Sequence, residues 1–307
     1  MIQVITSAMD SGDGVFIGGS DPTTTNNLLR TMAFIFNFLP NFFGSDNDVI
    51  TGSQGTDYVF DFYGNNTIST SSGSDLIYTG SGDDSIDAGA DNDIVSSGSG
   101  NDFVNAGSGN DLVYAGSGND SILAGDGNDT VYGGDGNDFI NSGKGDDKIY
   151  GGEGDDRITA GWNSSGSNIF HGEGGNDSLT GGLGDDQLHG GSGNDRLEGL
   201  SGENHYFGGG GGDQFILGAG GNHIVEDYSL KQGDKILFGA DDGKNQVLDD
   251  FVLQHIDFSS RVVEFTMDID GSNTRGEIHV ANEHVGGDSS FFGLVTDLYS
   301  FVVSVDA

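Results

Sequence analysis

Aspartate recurs every nine residues along much of this chain, at Asp84, Asp93, Asp102, Asp111, Asp120, Asp129, Asp138, Asp147 and Asp156. The same phase runs back through Asp75, Asp57 and Asp48, and returns after a slip of three residues in Asp177, Asp186, Asp195 and Asp213. Glycines stand two and four positions ahead of these carboxylates: Gly80 and Gly82, Gly98 and Gly100, Gly107 and Gly109, Gly116 and Gly118, Gly125 and Gly127, Gly134 and Gly136. Glycine permits left-handed backbone and close approach of chains, so the carbonyls of such a turn can converge on something small and positive. A carboxylate beside those carbonyls completes a set of hard oxygen donors in a flexible turn, and that donor set suits Ca²⁺.

The elements that position these turns follow from the rest of the phrase. Two residues after each aspartate comes a β-branched residue, among them Ile86, Val95, Val104, Val113, Ile122, Val131, Ile140, Ile149 and Ile158. One variable residue flanks it on each side, which describes a very short strand with its central side chain turned inward. A unit this small buries its apolar side only against its neighbours, so the fixed period predicts an all-β solenoid. A glycine-rich acidic linker would share the composition but not the strict phase of aspartate and Val/Ile.

In phrases such as GSGNDLVYA and GDGNDTVYG the chain resembles the RTX family, the hemolysin-type calcium-binding proteins built on the nonapeptide G-G-x-G-x-D-x-U-x. The resemblance implies a right-handed parallel β-roll in which successive nonapeptides alternate between two sheets. It also implies multiple Ca²⁺ between turns stacked one coil apart, with Asp57, Asp75, the run from Asp84 to Asp156, Asp177, Asp186, Asp195 and Asp213 as ligands beside the glycine-turn carbonyls. Finally, it implies unfolded export from a Gram-negative bacterium through type I secretion machinery, and folding outside the cell at its surface.

Charge agrees with that expectation. Ten Lys and Arg against 49 Asp and Glu give a net charge of -39, which excludes nucleic acid as a partner and opposes anionic membranes. Without cations the carboxylates repel one another, so folding couples to metal binding. About fifteen Ca²⁺ would offset roughly thirty charges. There are no cysteines. The opening MIQVITSAMDSGDG lacks the basic and apolar regions of a cleavable signal peptide.

Four segments follow. Residues 1–43 read as short strands or loop and then a short apolar helix ended by Pro40, which caps the roll; Arg30, Asn37 and Pro40 break it too often for a membrane span. Residues 44–160 are a first run of the roll, and residues 161–225 a second run after the slip around Trp162, whose ring is expected to cover the break. In the early turns Asn66 replaces aspartate, and Ser71 and Asp91 stand where glycine belongs; Asn204 and Asn222 take the aspartate place in the last coils. Residues 226–307 read as antiparallel strands with DIDGSN as a hairpin turn, ending in a tail, FVVSVDA, similar to type I secretion signals.

Eighteen residues return the chain to the same side, so outward residues form ladders. Tyr58, Phe60, Tyr78, Leu112, Tyr114, Tyr132 and Tyr150 fall on one sheet as an aromatic stripe, a candidate contact face. His171 with His189, and His205 with His223, read as exposed ladder pairs. No zinc-protease helix, nucleophile elbow or phosphate loop is present. The expectation is a non-enzymatic, secreted protein that folds on Ca²⁺ and self-associates as a surface-layer, matrix or filament subunit. Alternatives are a polysaccharide-binding accessory module similar to those of alginate epimerases, and an ice-binding or adhesin-type protein using Ser/Asn ladders such as Ser108/Asn110.

Overall fold

A computed structural model describes residues 47–161, 163–218, 221–229 and 231–238, together with the backbone of strands Gln3–Val4, Val15–Gly18, Leu248–Asp257, Val262–Ile269 and Ser272–Val280. Among the described residues every regular element is a strand, and the fold is a parallel β-solenoid. The helix expected within residues 23–43, Trp162 and the tail after residue 280 lie outside the described residues. The chain divides into two compact units, residues 1–144 with 148–152, and residues 145–147 with 153–307.

In the first unit one sheet stacks Asp57–Phe60, Leu76–Tyr78, Ile94–Ser99, Leu112–Ser117 and Thr130–Asp135, all parallel. The other stacks Val49–Thr51, Thr67–Ser69, Ser85–Ala90, Phe103–Ser108, Ser121–Asp126 and Phe139–Gly143. Partners are eighteen residues apart throughout, as in Val113↔Val131 and Ile122↔Ile140, so each coil takes two nonapeptides. The β-branched residues lie between the sheets: Val59, Ile77, Val95 and Val113 from one, and Ile68, Ile86, Val104 and Ile122 from the other, are all buried. Alternation with exposed neighbours fixes the register, since a slip of one residue would turn the whole inner row to solvent. At the N-terminal edge Val15–Gly18 pairs antiparallel with Asp57–Phe60, and Gln3–Val4 pairs with it in turn, which covers that edge of the first sheet.

In the second unit Ile169–Gly174, Gln187–Ser192, Glu203–Gly210 and Gly221–Tyr228 stack in parallel on one side. Arg157–Ala160, Ser178–Thr180, Arg196–Glu198, Gln214–Leu217 and Lys235–Phe238 do so on the other. Two expectations are corrected here. HIVEDYSL and GDKILF, read as antiparallel strands, are parallel strands that extend the solenoid, because Asp234 and Ile236 restore the aspartate-x-Ile phrase after a step of 21 residues from Asp213. Asn204 pairs with His223 and not with Asn222, so the register advances by one residue and His223 turns inward. After Gly221–Tyr228 the pattern changes as expected. Ser272–Val280 joins that strand in parallel, and Val262–Ile269 and Leu248–Asp257 continue as an antiparallel meander. The pairs Asp268↔Asn273 and Ile269↔Ser272 place the hairpin connection where DIDGSN predicts it.

The glycine turns are stacked backbone on backbone. At Gly118, φ is +130° and an added methyl would strike the Gly100 carbonyl one coil below. Ser71 at φ +80° and Asp91 at φ +76° hold the same left-handed backbone without being glycine. Replacing Gly118 by alanine is therefore expected to cost about 3 kcal/mol. Asp91→Gly is expected to stabilise the fold by about 1 kcal/mol. Thermal denaturation at saturating Ca²⁺ checks both signs.

Candidate metal centre

Each turn that joins one sheet to the other presents two successive polar residues, and they satisfy backbone in opposite directions. The inner aspartate reaches back. Asp93 Oδ1 accepts the N–H of Asp75 at 2.8 Å, Asp111 that of Asp93 at 2.8 Å, Asp102 that of Asp84 at 2.8 Å and Asp120 that of Asp102 at 2.8 Å. The outer residue reaches forward: Asn92 Oδ1 accepts the N–H of Asn110 at 2.7 Å, and Asn101 that of Asn119 at 2.8 Å. In the second unit the inner row continues, with Asp195 accepting from Asp177 at 2.8 Å and Asp213 from Asp195 at 2.9 Å. The outer asparagines were read as exposed ladder residues; their recurrence immediately before each aspartate was the available signal for this structural role.

The second oxygen of the inner carboxylates is left over. Oδ2 of Asp75, Asp84, Asp93, Asp102, Asp111, Asp120, Asp177, Asp186, Asp195 and Asp213 is buried and accepts no hydrogen bond. Each side chain folds back over the residue five positions earlier, which must be small: a methyl added at Gly172, Gly190 or Gly208 would strike Oδ2 of Asp177, Asp195 or Asp213. Ala88, Ala106, Ala115 and Ala124 fill the equivalent place elsewhere. Burial raises Asp93 and Asp120 to about 7, outweighing the backbone N–H that each accepts. Asp186 and Asp195 also rise to about 7 and Asp177 to about 6, again through burial. A row of buried carboxylate oxygens without donors is the arrangement that a hard cation satisfies.

Among the described residues no three His, Cys, Asp or Glu side chains converge on one point. A cation here therefore draws on carboxylates from neighbouring coils and on backbone oxygen. The carbonyls of Gly82, Gly98 and Gly100 lie directly beneath Gly100, Gly116 and Gly118 of the next coil, whereas Gly80 O also accepts the Ser99 N–H at 2.8 Å.

A family profile described as the RTX calcium-binding nonapeptide repeat (4 copies) matches residues 44–60, 60–95, 96–131, 132–165, 162–197, 180–215 and 189–224. The chain belongs to the RTX family. Its nonapeptide repeats bind multiple Ca²⁺ ions, and repeats of this family are in general structural elements. No curated protein matches the chain. No helix among the described residues is long and apolar enough to cross a membrane.

Asp57, Asp75, Asp84, Asp93, Asp102, Asp111, Asp120, Asp129, Asp138, Asp147, Asp156, Asp177, Asp186, Asp195 and Asp213 are all buried. Two further aspartates sit in or beside these rows that the repeat phase did not single out. Asp234 Oδ1 accepts the Asp213 N–H at 3.0 Å, and Asp61 is 1% exposed. At the C-terminal end of the solenoid the row becomes neutral. Asn204 Oδ1 accepts the Asp186 N–H at 3.0 Å, and His223 is buried with Nδ1 2.9 Å from Tyr206 Oη. His223, expected to be exposed, is held neutral because burial lowers it to about 4. His171 and His189 do stack on the surface at 4.4 Å, with Phe207 next at 4.3 Å from His189.

The acid–base consequence has a definite sign. A carboxyl that titrates near 3.8 in the unfolded chain and near 7 when buried opposes folding once ionised. The opposition is absent below pH 3.8, grows between 3.8 and 7, and is complete above 7. With a chelator present, far-UV circular dichroism should show more β-structure at about pH 5 than at about pH 8. Added Ca²⁺ should reverse that order, because protons compete with it for the same oxygens.

Proposed function

We propose that this RTX protein is exported unfolded from a Gram-negative cell, closes its solenoid on Ca²⁺ outside, and then self-associates as a structural subunit of a surface layer, matrix or filament. The reading of export rests on the family. In the folding step Asp111 and Asp129 act together: Asp129 Oδ1 orders the Asp111 backbone at 2.8 Å, and both carboxylates stand ready to share a cation between coils. The other buried aspartates of the two rows act in the same way. Cation binding offsets the burial cost of each carboxylate, so folding tracks the external Ca²⁺ concentration.

The observation that carries the assembly reading is the tyrosine stripe. Tyr114 and Tyr132 stack with centroids 5.0 Å apart and planes at 4°, and Tyr132 and Tyr150 at 4.8 Å and 5°. Tyr78, Ile94, Tyr114 and Tyr132 are exposed on the same sheet, whereas Tyr58, Phe60 and Leu112 are half-buried and Ser96 interrupts the row. Rings closed face to face offer a partner only their edges and hydroxyls. Sugar recognition by aromatic stacking needs a free ring face, so this stripe favours a protein surface over a polysaccharide. The ice-binding alternative loses support too, because Asn101, Asn110 and Asn119 spend their side-chain oxygens on backbone of the next coil.

Two outcomes are expected. Replacing Asp111 and Asp129 together with alanine should raise the Ca²⁺ midpoint of folding several-fold, read by circular dichroism; an unchanged midpoint would remove these residues from the site. Light scattering with negative-stain microscopy should show ordered assemblies at millimolar Ca²⁺ and none in chelator. Tyr114→Ser with Tyr132→Ser should weaken assembly while leaving the calcium midpoint in place, and a wild-type chain that stays monomeric would overturn the assembly reading.

A further inference from the structure

One turn of the first unit departs from the repeat at two positions at once. Asn66 occupies the aspartate place, and Asp61 stands five residues earlier, where the neighbouring turns carry Thr70, Thr79, Ala88 or Ser97. The asparagine keeps the backbone ladder intact without a charge. Its Oδ1 accepts the Asp48 N–H at 3.0 Å, its own N–H donates to Asp84 Oδ1 at 2.7 Å, and Nδ2 reaches the Tyr63 carbonyl at 3.3 Å. A motif search therefore scores this turn as having lost its cation.

Asp61 changes that reading. It is 1% exposed, and its Oδ2 is buried with no hydrogen-bond partner. The neighbouring carboxylate of Asp48 comes within hydrogen-bonding reach of it, while Asp84 acts on it from further off. Two ionised carboxylates have no proton to donate to each other, so a pair at this separation demands either a shared proton or a cation. Nearby Arg or Lys does not meet the demand, since residues 47–143 contain neither.

We propose that Asp48 and Asp61 hold a divalent cation of the Ca²⁺ class at a position outside the nonapeptide motif, Asp61 returning to this turn the carboxylate that Asn66 removed. The inference rests on the calcium reading above but assigns a site that the motif does not. The later asparagine turns supply the contrast. Asn168 directs Nδ2 to the carbonyls of Gly181 at 3.0 Å and Gly166 at 3.3 Å and to Asp186 Oδ1 at 3.0 Å, and Asn204 directs its Nδ2 to Gly199 O at 3.2 Å. In both, an amide N–H stands against the oxygens that would face a cation, and glycine or another uncharged residue fills the place five positions earlier.

The test counts bound Ca²⁺ on the full chain by equilibrium dialysis and native mass spectrometry. Asp61→Thr, which installs the residue used by the two following turns, is expected to bind one ion fewer than wild type. Adding Asn66→Asp to that variant moves the carboxylate back into the motif and is expected to restore the count. Circular dichroism at saturating Ca²⁺ confirms that the solenoid has formed; if Asp61→Thr does not fold, the isosteric Asp61→Asn is counted in its place. An unchanged count on removing the Asp61 carboxylate overturns the proposal and identifies the pair as one that shares a proton. A wild-type chain that binds no Ca²⁺ overturns the calcium reading itself, which is a different failure.

Discussion

Burial of a carboxylate without enough donors is the constraint on which the rest of this structure depends. Backbone ladders and a core of Val and Ile one residue deep stabilise each coil, but every half-coil also draws an aspartate out of water. Asp93, Asp102, Asp111 and Asp120 each accept one backbone N–H and keep a second buried oxygen unserved. Unpaired buried charge is among the most expensive features a fold can carry, and here it repeats along the axis. A hard cation turns the same oxygens from a liability into a cross-link between coils. The solenoid is thus a chain of conditional contacts, stable where its medium supplies Ca²⁺.

That constraint explains features that look unrelated in the sequence. Small residues five positions before each aspartate leave room for the carboxylate to fold back. Glycines at positive φ let turn carbonyls stack coil upon coil. The outer asparagines hold the turn from the other direction, so the aspartate has one oxygen free for its ligand role. Where the chain substitutes Asn168 or Asn204 for aspartate, the amide supplies its own donors, and the coil closes without the charge. At the C-terminal end Tyr206, Asn204 and His223 complete this change to a neutral, internally bonded interior.

Much of this was legible in the sequence because the nine-residue period ties each residue type to one location. The strands, the inner rows at Val113 or Ile122, the tyrosine stack and the three-residue slip all follow from phase alone. Legibility failed where phase shifted by a single residue. Asn222 looks like the natural successor to Asn204, but the extra residue ahead of it puts His223 in that place, and an exposed ladder histidine becomes a buried one. Asp234 was missed for a similar reason, since its step of 21 residues hides a turn that the backbone continues without a break in strand direction. Asp61 was missed because it lies off the motif, and only its burial beside Asp48 gives it meaning.

The most direct test of the account is residue-resolved amide hydrogen exchange at about pH 8, with a chelator and with millimolar Ca²⁺, following the N–H groups of Asp75, Asp84, Asp93, Asp102 and Asp111. These are the donors that the next coil's carboxylates accept. If buried carboxylates make the solenoid conditional on its cation, they exchange at unfolded-chain rates in chelator and become strongly protected together when Ca²⁺ is added. Equal protection in both conditions would show that the backbone and the aliphatic core hold the coils by themselves, and would contradict the account at its centre.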